Sequence, residues 1–102
     1  MKWAILRMEA ILSAINHREK AVLLTLRPDG EVFLTRGNRV RAGQYQVFDD
    51  VLRLALDDRV VRMRFRWVTA DRMETATTPE GEAPADFAGV DERFKRVFVR
   101  VR

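Results

Sequence analysis

Two stretches of this chain alternate strictly, with arginine filling most positions of one face, and that spacing is the chain's strongest chemical signal. In residues 59–68, RVVRMRFRWV, the side chains of Arg62, Arg64 and Arg66 share one side of an extended backbone. Val61, Met63, Phe65 and Trp67 share the other. In residues 94–102, FKRVFVRVR, Arg96, Phe98, Arg100 and Arg102 alternate with Val97, Val99 and Val101. A guanidinium is a planar fork of donors that matches phosphate or carboxylate. An aromatic ring set among arginines adds a surface on which a nucleobase can stack. The seven residues Arg62, Arg64, Arg66, Arg96, Phe98, Arg100 and Arg102 thus form a candidate nucleic-acid-binding face, which Arg39 and Arg41 extend. Like charges on neighbouring strands repel, so such a face needs water, carboxylates or a polyanion against it.

Other chemistry is sparse. His17 is the sole histidine, and Ser13 lies four residues before it, with no orienting partner in the pattern. Asp49-Asp50 and Asp57-Asp58 bracket one segment, but on a helix Asp50 and Asp57 stand ~10 Å apart along the axis, too far to converge on one ion. No phosphate-cradling GxxxxGK[ST], dinucleotide fingerprint or HExxH is present. With no cysteine there is no disulfide and no thiolate. The expectation is a non-enzymatic protein without metal or cofactor.

The elements that must position these groups read, in order, α-β-β-(β)-α-β-β. Ile5, Met8, Leu12 and Ile15 fall at helical spacing, widened by Ala4 and Ile11, so the chain should open with a helix. Segments 21–26 and 31–36 flank Arg-Pro-Asp-Gly, a turn in which proline presets φ and glycine supplies a positive one. Gly37-Asn38 is a second turn signal, leading into an optional third strand at 39–42. Residues 47–56 read as a short amphipathic helix with Asp49 and Asp50 in its first turn. Segments 59–68 and 94–102 should then be adjacent antiparallel strands, burying Val61, Met63, Phe65, Trp67, Val97, Val99 and Val101. The predicted fold is α+β: an antiparallel sheet of four to five strands with two helices packed on one face.

Two short resemblances accompany this layout. Gly37-Asn-Arg-Val-Arg-Ala-Gly-Gln44 resembles the turn of biotinyl and lipoyl carriers and membrane-fusion adaptors, but the carriers' modified lysine has no counterpart. The helix-first order with its Pro-Asp-Gly hairpin is similar to the roadblock/longin class of dimerising modules over residues 21–35, and implies no site residues.

Charge is unevenly placed. Of 19 basic residues 16 are arginine, and the net charge is +4. The two basic segments flank residues 71–93, which carry seven acidic residues against Arg72 and Arg93 and have loop composition around Thr-Thr-Pro-Glu-Gly-Glu. A connection this long is mobile or functional, and folded back it would screen the arginines through Glu74, Glu80, Glu82 and Asp86. At 102 residues the chain is expected to form one domain. No run approaches the ~20 apolar residues of a membrane span, and no signal-peptide pattern is seen, so a cytoplasmic location without membrane partner is expected. The function expected is a nucleic-acid-binding module whose arginine face takes single-stranded DNA or RNA. The alternative is a protein-interaction or homo-oligomerisation module, most simply a dimer, with Trp3, Met8 and Ile11 facing the partner.

Overall fold

The computed structural model describes residues 10–15 and 21–101. Eight strands follow one another along the described residues: β1 (Ala10–Ile15), β2 (Ala21–Leu26), β3 (Glu31–Arg36), β4 (Arg39–Phe48), β5 (Val51–Leu56), β6 (Val60–Thr69), β7 (Arg72–Ala76) and β8 (Lys95–Arg100). Each pairs antiparallel with the next, and β8 returns to β1 to close a barrel. Closure removes the free edges that an open sheet would present. The closing seam is short: Leu12 stands opposite Arg100 and Ser13 opposite Val99, whereas β1 and β2 pair over six positions. One 3₁₀ turn, Glu92–Phe94, precedes β8 and is capped by the Asp91 carboxylate, which accepts from the Arg93 N–H at 2.9 Å. Among the described residues no helix is long and apolar enough to cross a membrane.

The period-two pattern is the physical cause of this fold. On β2 Val22, Leu24 and Leu26 are buried; on β5 Leu52, Leu54 and Leu56 are buried; on β6 Phe65 is buried with Met63 and Trp67 packed beside it. These inward sets meet across the barrel, and each fully buried aliphatic side chain contributes about 1.5–3 kcal/mol. The turns do what their residues allow. At Pro28-Asp29-Gly30 the Gly30 N–H donates to Arg27 O at 3.0 Å and Gly30 has φ 91. Gly37-Asn38 joins β3 to β4 with Arg36 opposite Arg39. Gly43 is required for another reason. A Cβ there would lie 2.0 Å from the Ala55 carbonyl oxygen, so β4 and β5 approach more closely than any side chain permits.

The α+β expectation is overturned, because both anticipated helices are absent from the described residues. The first was read from Ile5 to Ile15; residues 10–15 of it form β1, and Trp3, Ile5 and Met8 lie outside the described residues. Leu12 is fully buried in the barrel while Ile11 points outward, 45% exposed. A run of apolar residues satisfies either period, and the barrel's need for an eighth strand decides between them. The second helix, 47–56, is the end of β4, a two-residue turn and β5. Asp49 and Asp50 form that turn, with Asp49 at φ 51, a left-handed conformation aspartate tolerates. The roadblock/longin layout falls with the helices; its hairpin stays.

Two details of the sheet also differ. Segments 59–68 and 94–102 are strands, but β7 lies between β6 and β8 and pairs with both. The alternation of the last strand holds with its faces exchanged: Phe98 is buried at 3% exposure, while Val97, Val99 and Val101 are each 45% exposed. Alternation fixes which residues share a face, not which face is inside. The aromatic Phe98, opposite Met73 of β7, has more apolar surface to bury than a valine and takes the interior.

Candidate anion-binding cavity

The candidate arginine face is divided by the barrel wall. Arg62, Arg64 and Arg66 lie outside on β6, while Arg96, Phe98 and Arg100 lie on the inward side of β8; Arg102 is outside the described residues. The outer three are engaged with carboxylates. Arg62 meets Glu82 at 3.2 Å, Arg64 pairs with Asp50 and donates from Nε to the Pro84 carbonyl at 2.6 Å, and Arg66 meets Glu74 at 2.7 Å with its guanidinium 4.2 Å from the Phe87 ring centre. Much of the acidic connector thus runs back along the outer side of β6. The Arg62 N–H donates to Gly81 O at 2.7 Å, and the Thr77 hydroxyl donates to Arg62 O at 3.1 Å. The Arg64 partner holds the Asp50 carboxyl below its usual range, chiefly through their hydrogen bond. Arg100 sits toward the opposite end of β8, 5.3 Å above the Trp67 ring centre and donating from Nε to Ala70 O at 3.2 Å.

The two ends of the barrel differ. At the end that carries the β2–β3 turn, Leu12, Leu26, Val32, Tyr45 and Met73 fill the lumen and are all but sealed from solvent. The Tyr45 hydroxyl there donates to Arg27 O at 2.6 Å. At the end that carries the β3–β4 and β5–β6 turns, the lumen opens into a cavity of about 350 Å³. Its walls are mostly apolar, among them Leu24, Leu54, Met63 and Phe98, with Thr75 and Thr77 as the uncharged polar side chains, and its rim holds Arg36, Arg39, Arg41, Arg59 and Arg96. An eight-stranded barrel is just wide enough either to pack its interior or to hold one small ligand; this one packs its interior at one end and leaves a cavity at the other.

The electrostatics of the rim are one-sided. Arg41 is neutralised by Asp58 at 2.8 Å. Among the described residues Arg36, Arg39, Arg59 and Arg96 have no ion-pair partner, and no carboxylate lines the cavity. Arg96 is half-buried and its Nε–H is enclosed without an acceptor. Burial first, and then the charge of Arg36, lowers the pKa of the Arg96 guanidinium. Burial, and then Arg41 and Arg59, does the same to Arg36. A guanidinium does not lose its proton in a protein, so these shifts record cations held in an unfavourable place.

Among the described residues no three histidine, aspartate or glutamate side chains gather as a metal site. His17 lies outside the described residues, and Ser13 is in β1 at the seam. Arg36 and Arg59 were not in the sequence-derived face, and Arg39 and Arg41 stood only at its margin. The signal for them is local: Arg36 and Arg39 bracket the Gly37-Asn38 turn, and Arg59 follows Asp57-Asp58. In an up-and-down barrel alternate turns gather at one end, so turn-flanking arginines meet there. No protein family, curated protein or solved structure matches this chain.

Proposed function

We propose that the protein binds a small amphipathic organic anion, its apolar part inside the barrel and its acidic group at the rim. The observation that carries this reading is Arg96: a guanidinium with an enclosed, unpartnered Nε–H, at a largely apolar cavity whose rim, among the described residues, holds other arginines and no carboxylate. An unsatisfied buried donor costs about 1–3 kcal/mol, and an acidic ligand group removes that cost. The apolar walls supply the complementary half, since ligand sites are mostly apolar with a few convergent polar groups. Arg36 would share the acidic group, since it lines the same rim and its charge acts on Arg96.

Calorimetric titration with octanoate, octan-1-ol and octyltrimethylammonium tests the proposal, since the three share a tail and differ in charge. Octanoate should bind, the alcohol more weakly, and the cation not at all. Equal binding of all three, or of none, overturns it. A single-stranded oligonucleotide that binds with a log–log salt slope of about −0.7 per phosphate contact, where octanoate does not bind, would replace this reading with one in which the outer arginines meet phosphates.

A further inference from the structure

We infer that the acidic group is a phosphate ester carried on an aliphatic chain, rather than a carboxylate. The inference rests on the cavity reading above and adds the class of head group.

The argument is one of charge and of shape. Four rim guanidinia, Arg36, Arg39, Arg59 and Arg96, lack an ion-pair partner among the described residues, and Arg41 is already offset by Asp58. A carboxylate brings one negative charge and two oxygens, leaving three cations crowded at a half-enclosed mouth. A phosphate monoester carries about −1.5 to −2 at pH 7 and presents three acceptor oxygens. Its tetrahedral oxygens let several planar forks dock from different directions at once. Those directions exist here, because the four arginines come from separate places around the rim: the end of β3, the start of β4, the β5–β6 turn and β8. Thr75, the register partner of Arg96 on β7, adds a hydroxyl on the same wall.

The tail follows from the floor. Below the rim the walls are aliphatic and aromatic, including Leu24, Leu54, Met63 and Phe98. A nucleobase or sugar placed there would bury more donors and acceptors than Thr75 and Thr77 can meet. An alkyl or isoprenyl chain buries none.

The test is calorimetry on the full chain with octyl phosphate, octanoate and inorganic phosphate. At pH 8 octyl phosphate should bind at least tenfold tighter than octanoate. At pH 5, where the ester has lost its second charge (second pKa about 6), that preference should fall to within about threefold. The double variant Arg39→Gln with Arg59→Gln alters two exposed turn-flanking residues and leaves the wall intact. It should weaken octyl phosphate about tenfold and change octanoate less than threefold. Octanoate binding as tightly as octyl phosphate at pH 8, or a double variant that weakens both alike, overturns the head-group inference and leaves the cavity reading standing. Inorganic phosphate binding as tightly as octyl phosphate overturns the aliphatic tail. Failure of both octyl ligands removes the cavity reading itself.

Discussion

Replacing Arg96 with methionine should make the ligand-free protein more stable. In most barrels the loss of a long inward side chain opens a void and costs stability. Here the guanidinium is half-buried, its Nε–H is enclosed without an acceptor, and Arg36 repels it. Methionine keeps most of the apolar stem, is flexible enough to follow its path, and carries no donor. The enclosed Nε–H is penalised within the range of about 1–3 kcal/mol for an unsatisfied buried group. Because the rest of the group keeps contact with water, the lower end applies, and the expected gain is about 1 kcal/mol. For a domain of this size that raises Tm by about 4–8 °C. Differential scanning calorimetry of ligand-free Arg96→Met at pH 7 reads it directly. The gain should be larger at low salt, where Arg36 is less screened. Arg62→Met is the control: its exposed pair with Glu82 is worth about 0–1 kcal/mol, so its Tm should hold or drop slightly. A drop of several degrees in Arg96→Met would refute the reasoning, because it would mean that the guanidinium is held by favourable contacts in the empty barrel.

Gly43→Ala should prevent stable folding or cost more than about 4 kcal/mol, beyond the range of ordinary substitutions, since the new Cβ meets backbone at 2.0 Å; urea denaturation measures it. Tyr45→Phe should cost about 1–2 kcal/mol by the same method, because it strips the Arg27 carbonyl of a 2.6 Å hydrogen bond inside the filled end. The Asp50–Arg64 pair has a defined pH sign: the folded-state pKa of Asp50 is depressed, so its contribution is present above the unfolded value of about 3.9 and fades as pH falls through the folded one. Asp50→Asn should therefore lower Tm more at pH 7 than at pH 2, as thermal scans at the two pH values will show.

Where the sequence carries strict alternation and a turn with a mechanism, the fold is legible in it. Arg-Pro-Asp-Gly and Gly37-Asn38 mark their hairpins, and β6 has the inward and outward sets that its residues announce. Residues 10–15 and 47–56 are not legible in this way. Leu12 and Ile15 fit a helical stripe, while Leu52, Leu54 and Leu56 fit a strand with nothing to exclude a helix in so short a run. Only pairing resolves them: β5 with its neighbours β4 and β6, and β1 with β2 and the distant β8. The last strand shows a subtler limit. Its two faces are valine and arginine-with-phenylalanine, and hydropathy favours valine inside; the barrel needs Phe98 there, and Arg96 is carried in with it. The site is half-hidden for the same reason. The alternating arginines are visible, but which arginines gather depends on the order of turns around a closed barrel.

The short seam between β1 and β8 has a consequence for the order of assembly. Every other strand pairing joins neighbours in the chain, all but β7–β8 without a long connector among the described residues, so those pairings can form in succession at modest entropic cost. Leu12 and Arg100 are separated by most of the sequence and are held together over only two registered positions, reinforced by the Val101 N–H donating to Ile11 O at 2.7 Å. Loop-closure entropy rises with that separation, and long-range pairings of this kind form late. Until the seam zips, β8 is unmoored on one side, and Arg96 and Phe98 have no lumen to face. The cavity is therefore completed only when the seam closes, and an anion bound as proposed between β8 and β3 would act as a clasp on the shortest joint of the ring.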